Sequence, residues 1–417
     1  MADICTQIIT IPQFDNTNIC WFNAILMSLL YSQHSRNLLL SSENGISKRR
    51  DKISKILDQI LRRQIIKNEY EDDYFKFMTS QRILKYFNIF SSKEQYLSIL
   101  KTGHDSSFEI HKCIEKFGKT SLDLIVYNNK IYSNFKFIID ELKILLEIIK
   151  EKNKATESNK AEIEEKEREI IRQLILKIQS FNIETVAYNP DYIIVHPVLY
   201  IPNTKTSRYD FIFLAVLNIL KQHNLIDKIL LDSYDISKNG IAEFNDEITY
   251  NGETYILDSC ILSNYNVIGN LGHALTGITC NNNRYIYNGI YTNSRSTIDT
   301  SIISKKKCDL IKYSWNINSP IDFCLNPIMC KAMYILPEIK DKVLCYSFNK
   351  GPRALIYVNK KDLKKTIPEI YKNTSKSLSN FELPSTISKS AEKETMQKFI
   401  DDLQLKINKI EPKRRRI

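Results

Sequence analysis

The sequence has little of what marks a secreted, membrane-spanning or zinc-binding protein. Its nine cysteines are scattered and form no CxxC pair, so neither a disulfide framework nor a zinc ribbon is indicated. The longest apolar run, Phe211 to Leu220, is too short to span a bilayer. The N-terminus lacks the basic segment and apolar run of a signal peptide. We therefore expect a soluble protein without a membrane span, in the reducing, cytoplasmic compartment.

Glycine is also scarce, with 10 residues in 417, whereas Ile, Asn, Lys and Tyr are abundant. This bias is typical of an A+T-rich genome and suggests a large DNA virus as the source, which would place the protein in the host cytoplasm. The net charge of +11 comes from 59 basic residues that are spread along the chain among 48 acidic ones. Such a distribution does not favour a specific nucleic-acid partner. A hydrophobic fraction of 43% is enough for a substantial core divided into two or three units.

The stretch Asn16 to Leu26 joins a cysteine to the start of a helix. Apolar residues recur at helical spacing, at Phe22, Ile25, Leu26, Leu29 and Leu30. Cys20 then lies in the first turn, with Asn18 as the predicted N-cap. Unpaired N–H groups and the positive end of the helix dipole favour a thiolate there. The alternative is that Cys20 is simply a small buried hydrophobic residue.

The segments before residue 134 are predicted to be mostly helical and to form a lobe around this thiol, covering residues 1–133. His104, His111 and Cys113 cluster within it. They lack a fourth ligand at the spacing of a zinc finger, and solvated loop residues are the alternative to a metal site.

Residues 134–180 have the pattern of a charged helical hairpin. One apolar stripe runs from Ile138 to Ile149 and another from Ile163 to Ile178, with a polar break at Asn153 to Asn159. Acidic and basic residues four apart indicate a solvated face. The hairpin is either a platform for a substrate or partner, or only a solvated helix pair.

Beyond Phe181 the apolar period becomes that of strands, and residues 181–372 are predicted to form a β-rich lobe. Strands are expected at 192–201, 247–250, 254–262, 273–280, 284–287, 331–336 and 354–358, with one helix at 208–224. The predicted class is α+β, with the helical lobe packed on an antiparallel sheet and the site in the cleft between them.

Residues 373–417 are rich in Ser, Lys and Glu, and they are predicted to be a mobile basic tail with one amphipathic helix near Met396 to Ile407. Its end, Lys413 to Arg416, is a short basic cluster. This cluster is compatible with a nuclear address or with contact to an anionic surface.

His273 is the best candidate for a base that serves Cys20. It follows a glycine at the start of a predicted strand, and the next strand ends at Asn288. A two-residue turn at Asn281-Asn282 would make Asn288 the same-face diagonal neighbour of His273. Asn288 would then accept the Nδ1 proton and leave Nε2 for the thiol. A three-residue turn would put Asn288 on the opposite face.

These segments together resemble the ubiquitin-specific proteases. Asn18 to Asn23 is similar to their cysteine box. Tyr255 to Leu262 followed by Gly272-His273 is similar to their histidine box, and Lys331 to Leu336 resembles their final core strand. Asp15 to Leu26 and the spacing from His273 to Asn288 are also similar to the picornaviral leader proteases.

The resemblance implies a papain-like cysteine peptidase that removes ubiquitin or a ubiquitin-like modifier from conjugates. Cys20 would be the nucleophile, His273 the general base and Asn288 the residue that orients it. The paired zinc motifs of the family are absent, so no metal or cofactor is expected.

The sequence departs from the family at the oxyanion hole. The family places a neutral donor five residues before the cysteine, and this position is Asp15. A carboxylate would repel the oxyanion, so Asn16 or the backbone N–H of Cys20 is expected to serve instead. A viral polyprotein endopeptidase and a catalytically inactive binding scaffold on the same fold remain the alternatives.

Overall fold

The computed structural model describes residues 5, 18–41, 51–62, 80–90, 92–128, 130–133, 135–181, 189–198, 208–231, 245–264, 272–289, 310–319, 322–326, 331–334, 344–349, 351 and 353–361. Asp15 and Asn16 lie outside these residues, and so does the whole predicted tail from residue 373 onward.

The described helices are, in chain order, α1 (Cys20–Leu30), α2 (Gln33–Leu40), α3 (Lys52–Leu61), α4 (Ser80–Phe87), α5 (Lys93–Thr102), α6 (Ile110–Lys116), α7 (Ile139–Lys152), α8 (Glu157–Gln179) and α9 (Arg208–Gln222). The predicted polar break falls between α7 and α8. Thr156 and Asn159 form a capping box there, because each side chain bonds the other's backbone. The predicted helical hairpin is thus confirmed.

The strands are β1 (Ser121–Tyr127), β2 (Lys130–Ser133), β3 (Tyr192–Pro197), β4 (Glu247–Tyr250), β5 (Glu253–Ser263), β6 (Ala274–Cys280), β7 (Asn283–Tyr287), β8 (Leu310–Lys312), β9 (Asp322–Asn326), β10 (Lys331–Tyr334), β11 (Tyr346–Ser347) and β12 (Arg353–Asn359). The predicted α+β class is confirmed.

The main sheet is open, with strand order β2-β1-β3-β12-β5-β6-β7-β8 and with β4 paired to β5. Its pairs are antiparallel except for β1 with β3. The prediction that residues 1–133 form a helical lobe is wrong in part, because β1 and β2 of that range lie in this sheet. The alternation of apolar and polar residues that marks a half-exposed strand is absent from the start of β1, because its first five residues are all buried.

A smaller sheet contains β9, β10 and β11. The strand Lys331–Tyr334, compared above with the final core strand of the ubiquitin-specific proteases, is an edge of this small sheet. In the main sheet the central position between β3 and β5 belongs to β12 instead.

Each face of the main sheet is covered by a separate apolar core. On one face Ile278 and Cys280 of β6 pack with α1, which is buried at almost every residue. On the other face Leu275 packs with Trp315, Phe348 and neighbouring side chains. Because β6 is covered on both sides, it holds α1 at a fixed position over the sheet.

A third core joins α7, α8 and α9 to the edge of the sheet. It includes Leu142, Leu174 and Phe213 together with Ile125 and Tyr132 of the edge strands. The opposite sides of α7 and α8 carry charged pairs such as Lys166 with Glu162. The hairpin is therefore packed on one side and charged on the other.

Cys5 and Cys280 are joined by a disulfide, although they are separated by 275 residues. This bond was not predicted, because no sequence pattern links two cysteines that are so far apart in the chain. Cys20, Cys113 and Cys260 are not part of a disulfide. None of the described helices is both long and apolar enough to cross a membrane.

Candidate active site

The first turn of α1 is held by contacts that Trp21 and Asn23 make with the helical lobe. The ring of Trp21 meets the ring of His104 edge-on, with 5.1 Å between centroids. Ser80 donates a hydrogen bond to Oδ1 of Asn23. His104 in turn pairs with the buried Glu109 at 3.0 Å. These contacts fix the end of α1 that carries Cys20.

Asn18 does not cap this helix, so that prediction is wrong. The N-cap is Ile19, which has no side chain able to accept a hydrogen bond. Asn18 instead donates its backbone N–H to the carbonyl of Leu100 at 2.9 Å and its side-chain amide to that of Lys101 at 2.6 Å. The last carbonyls of α5 have no acceptor role within the helix, so they accept these hydrogen bonds from Asn18. Asn18 thus anchors the chain that enters α1.

Asp258 of β5 attaches the next helix to the sheet, and sequence reasoning missed it. Its two carboxylate oxygens accept the backbone N–H groups of His34 at 3.0 Å and Ser35 at 2.8 Å. Its carbonyl accepts from the hydroxyls of Ser32 and Thr279. A carboxylate from a distant strand therefore takes the place of the local N-cap of α2.

The β6–β7 hairpin has the predicted two-residue turn. Cys280 pairs with Asn283, and both intervening asparagines have positive φ, 48° for Asn281 and 59° for Asn282. These values are those of a type I′ turn. The register places Asn288 diagonally from His273, and Oδ1 of Asn288 lies 2.8 Å from Nε2 of that ring.

The predicted ring nitrogen is wrong. Nδ1 of His273 was expected to face Asn288 and Nε2 to face the thiol, but Asn288 contacts Nε2. This leaves Nδ1 as the atom that can face Cys20. The strand register determines which side of the backbone the ring occupies, but it does not determine the side-chain torsion that turns one nitrogen or the other toward the thiol.

Asn264 fixes the backbone of His273 and was not predicted. Its Oδ1 accepts the His273 N–H at 3.0 Å, and Asn264 is fully buried. In the sequence it is a polar residue after an apolar strand, which is the pattern of an ordinary turn residue. Only its burial distinguishes it.

Cys20 is partly exposed, and its sulfur meets His273. Burial of the sulfur raises the pKa of the thiol. The positive charge and hydrogen bond of His273, together with the backbone N–H groups of Ala274 and Trp21, outweigh burial and hold the pKa of Cys20 below its ordinary value. The Trp21 N–H is one of the first-turn donors expected from the helix start. The arrangement favours a thiolate that a substrate can reach.

The two predicted oxyanion-hole side chains, Asp15 and Asn16, lie outside the described residues. Among the described groups, the backbone N–H groups of Trp21 and Ala274 are directed at the sulfur. Asn18 is two residues before the thiol, and its side chain is engaged with Lys101 rather than with the cleft.

His111, Cys113 and His196 are buried, so the first two are not the solvated loop residues that the sequence offered as the alternative to a metal site. His111 and Cys113 are buried in α6, where Nδ1 of His111 lies 2.8 Å from the Ser121 hydroxyl. Burial, with the nearby charge of Glu109, raises the pKa of the Cys113 thiol well above its ordinary value. His196 is buried, and burial lowers its pKa to about 3. The described residues contain no group of three His, Cys, Asp or Glu placed to hold a metal ion.

A scan against models of protein families finds no match to this chain, and a search of curated proteins finds no similar sequence.

Proposed function

We propose that this protein is a thiol-dependent isopeptidase with a papain-like arrangement of Cys20, His273 and Asn288. The observation that carries the proposal is that one imidazole contacts the thiol and, through its other side, a buried asparagine. A nucleophile, a base and a group that orients the base are the minimum for acyl transfer by a cysteine.

In the first step the Cys20 sulfur attacks the carbonyl carbon of the scissile amide. The C–N bond breaks, His273 gives its Nδ1 proton to the leaving amine, and a thioester forms on Cys20. Asn288 stabilises the imidazolium because its amide oxygen accepts a hydrogen bond from the Nε2–H group throughout the reaction. The developing oxyanion is held by backbone N–H donors near the helix start.

In the second step His273 takes a proton from water, and the hydroxide attacks the thioester carbonyl. The C–S bond breaks, which releases the carboxylic acid and restores the Cys20–His273 pair. The reaction consumes the substrate and one water molecule, and the protein is regenerated.

The substrate class rests on the resemblance of two segments, Asn18 to Asn23 and Tyr255 to His273, to the cysteine and histidine boxes of ubiquitin-specific proteases. We therefore propose conjugates of ubiquitin or a ubiquitin-like modifier as substrates, in the cytoplasm of a host cell if the source is viral. A lysine amine would be the leaving group.

Ubiquitin that carries a C-terminal electrophile tests this proposal. We expect a covalent adduct with the wild-type chain, none with Cys20→Ala, and labelling slowed at least about 100-fold in His273→Ala. Cys113→Ala is the matched control, since it removes a buried thiol outside the site and should leave labelling unchanged. Peptide mapping should place the adduct on Cys20.

Other results would contradict the proposal. An adduct on Cys20→Ala would mean that another group reacts. If the wild-type chain does not react with the ubiquitin probe but cleaves an unconjugated virion precursor, the protein is a polyprotein endopeptidase. Binding of a conjugate without any turnover would indicate a scaffold.

A further inference from the structure

A groove lies between helices α7 and α8 of the hairpin. Its volume is about 770 Å³, and its lining comes from residues 143–151 of α7, residues 162–173 of α8 and Gln95 of α5. Three isoleucines give it apolar surface: Ile148 and Ile170 are almost fully buried, whereas Ile144 is 52% exposed. The groove thus offers an apolar contact that the described residues leave open.

The charged side chains of the groove are mainly acidic. Five glutamates line it against two lysines, on a chain whose net charge is +11. One of these lysines, Lys143, directs its ammonium group inward, where it bonds the buried carboxylate of Glu109. The groove is therefore a negative surface.

Neighbouring basic residues neutralise these glutamates only in part. Glu162 pairs with Lys166, and Glu165 pairs with Arg168, on exposed faces of α8. Exposed pairs of this kind contribute little stability, so cations from a partner can replace them at small cost. Glu151 forms no ion pair with a described residue. The groove can accordingly accept further positive charge.

The sign of this charge limits what occupies the groove. The phosphates of nucleic acids and of anionic lipid surfaces would be repelled. A two-fold dimer through this surface would place the groove against itself and would bring glutamates against glutamates. A segment of another protein that carries lysine or arginine beside an apolar side chain matches both the charge and the exposed isoleucine.

The walls of the groove favour a helix over an extended strand as the occupant. They belong to helices alone, whose backbone groups are already paired, so a strand cannot be added through main-chain hydrogen bonds. Residues 143–151 and 162–173 extend about 12 Å and about 17 Å along their helix axes. This length fits roughly two to three turns of a helix, or about 8–11 residues.

We propose that the groove between α7 and α8 binds a basic amphipathic helix of a partner protein. An apolar side chain of the partner packs on Ile144, and its lysines or arginines pair with the glutamates. The binding does not depend on the proposed function, because no residue of the groove belongs to the Cys20 site.

A fluorescein-labelled peptide of leucine, lysine and alanine, about 12 residues long, tests this chemistry against the full chain by fluorescence anisotropy. Its leucines lie on one helical face and its lysines on the other, and a scrambled peptide has the same composition. We expect the amphipathic peptide to bind at least about ten-fold more tightly than the scrambled one, since only the former presents an apolar face.

Variants of the groove should weaken this binding. Ile144→Ser should cost about ten-fold in affinity, because an apolar contact is lost. The double variant Glu147→Lys with Glu151→Lys should cost at least about ten-fold and should reduce the dependence on salt.

Matched controls lie outside the groove. Leu176→Ser removes a side chain of α8 that is 55% exposed but does not line the groove. Glu115→Lys with Asp227→Lys reverses two exposed acidic residues elsewhere. Both controls should bind the amphipathic peptide like the wild type.

Photo-crosslinking identifies the occupant. The full chain with p-benzoylphenylalanine in place of Ile144 is irradiated with and without the amphipathic peptide, and the products are mapped. We expect a crosslink to the peptide that excess unlabelled peptide suppresses. A crosslink to a second copy, or to another part of the same chain that the peptide does not displace, would overturn the proposal. Equal affinity for the scrambled peptide, or unchanged affinity in Ile144→Ser, would also overturn it.

Discussion

Asn288 and His273 are 15 residues apart in the chain, and their side chains meet at 2.8 Å in the interior. The contact joins Oδ1 of the amide to Nε2 of the imidazole, and both residues are buried. Since the amide oxygen only accepts hydrogen bonds, it selects the tautomer with the proton on Nε2. Nδ1 is then free to accept the thiol proton.

Replacing Asn288 with alanine should impair turnover without unfolding the protein. The imidazole would lose its fixed tautomer and orientation, so kcat should fall about ten-fold to a hundred-fold. Asn283→Ala is the control, because Asn283 is an exposed residue of the same hairpin. An unchanged kcat and pH profile in Asn288→Ala would show that the amide has no positioning role.

The pH dependence of Cys20 alkylation should reveal the influence of His273. Because the pKa of Cys20 is held below its ordinary value, the reactive thiolate should persist at a lower pH than for a free cysteine. In His273→Ala the groups that lower the pKa of Cys20 are fewer, while burial still raises it, so the inflection of the alkylation rate should move to higher pH. The measurement is the rate at which iodoacetamide alkylates Cys20 in the folded wild type and in His273→Ala, followed by peptide mapping at each pH. Coincident inflections would rule out the assigned pair.

Asp258→Ala should reduce both stability and labelling of Cys20. Two N–H groups at the start of α2, the part-buried one of His34 and the buried one of Ser35, would lose their acceptors. The expected cost is about 2–4 kcal/mol in the free energy of unfolding, and α1 would shift relative to β6. Asp51→Ala is the comparison, since Asp51 caps α3 locally and its loss should affect stability alone. Urea unfolding and the ubiquitin probe measure the two effects.

Asp123→Asn should stabilise the protein at neutral pH. Burial raises the pKa of Asp123 from 3.8 to about 6, although the charge of Lys136 opposes this shift. The folded state therefore keeps a proton that the unfolded state loses near pH 4. The stability from this group is complete below about pH 4 and is lost as the pH rises through 6, a difference of about 3 kcal/mol.

Thermal unfolding of Asp123→Asn at pH 4 and pH 7.5 tests this sign. The melting temperature of the variant should be higher than that of the wild type at pH 7.5 and close to it at pH 4. Asp227→Asn serves as control because Asp227 is exposed. A variant that is less stable than the wild type at pH 7.5 would contradict the prediction.

Gly277→Ala should destabilise the sheet. An added Cβ would lie 2.8 Å from Phe348 and 3.0 Å from Trp315, and these rings are stacked with 5.2 Å between centroids. Two stacked rings leave little room to move, so the cost should be about 1–3 kcal/mol. Phe348→Leu in the same chain should recover part of this loss in urea unfolding. If Gly277→Ala costs the same with either side chain, the steric explanation is wrong.

Much of the site follows from local sequence. The apolar spacing after Cys20 specifies a helix, since one buried face requires that period. Asparagines at 281–283 indicate a tight turn, because asparagine tolerates positive φ. The sequence left a two-residue and a three-residue turn open, and the pairing of Cys280 with Asn283 selects the two-residue turn, which puts Asn288 beside His273. These features depend on residues that are neighbours in the chain.

The amino-acid sequence by itself determined the α+β class, the helix that begins at Cys20 and the β-hairpin that follows His273, because each arises from short-range periodicity or turn chemistry. Only the tertiary structure decided the contacts across long separations. They include the bond of Cys5 to Cys280, the capping of α2 by Asp258, and the choice of Nε2 for Asn288. Such contacts depend on how distant strands and helices pack, and no pattern within one segment carries that information.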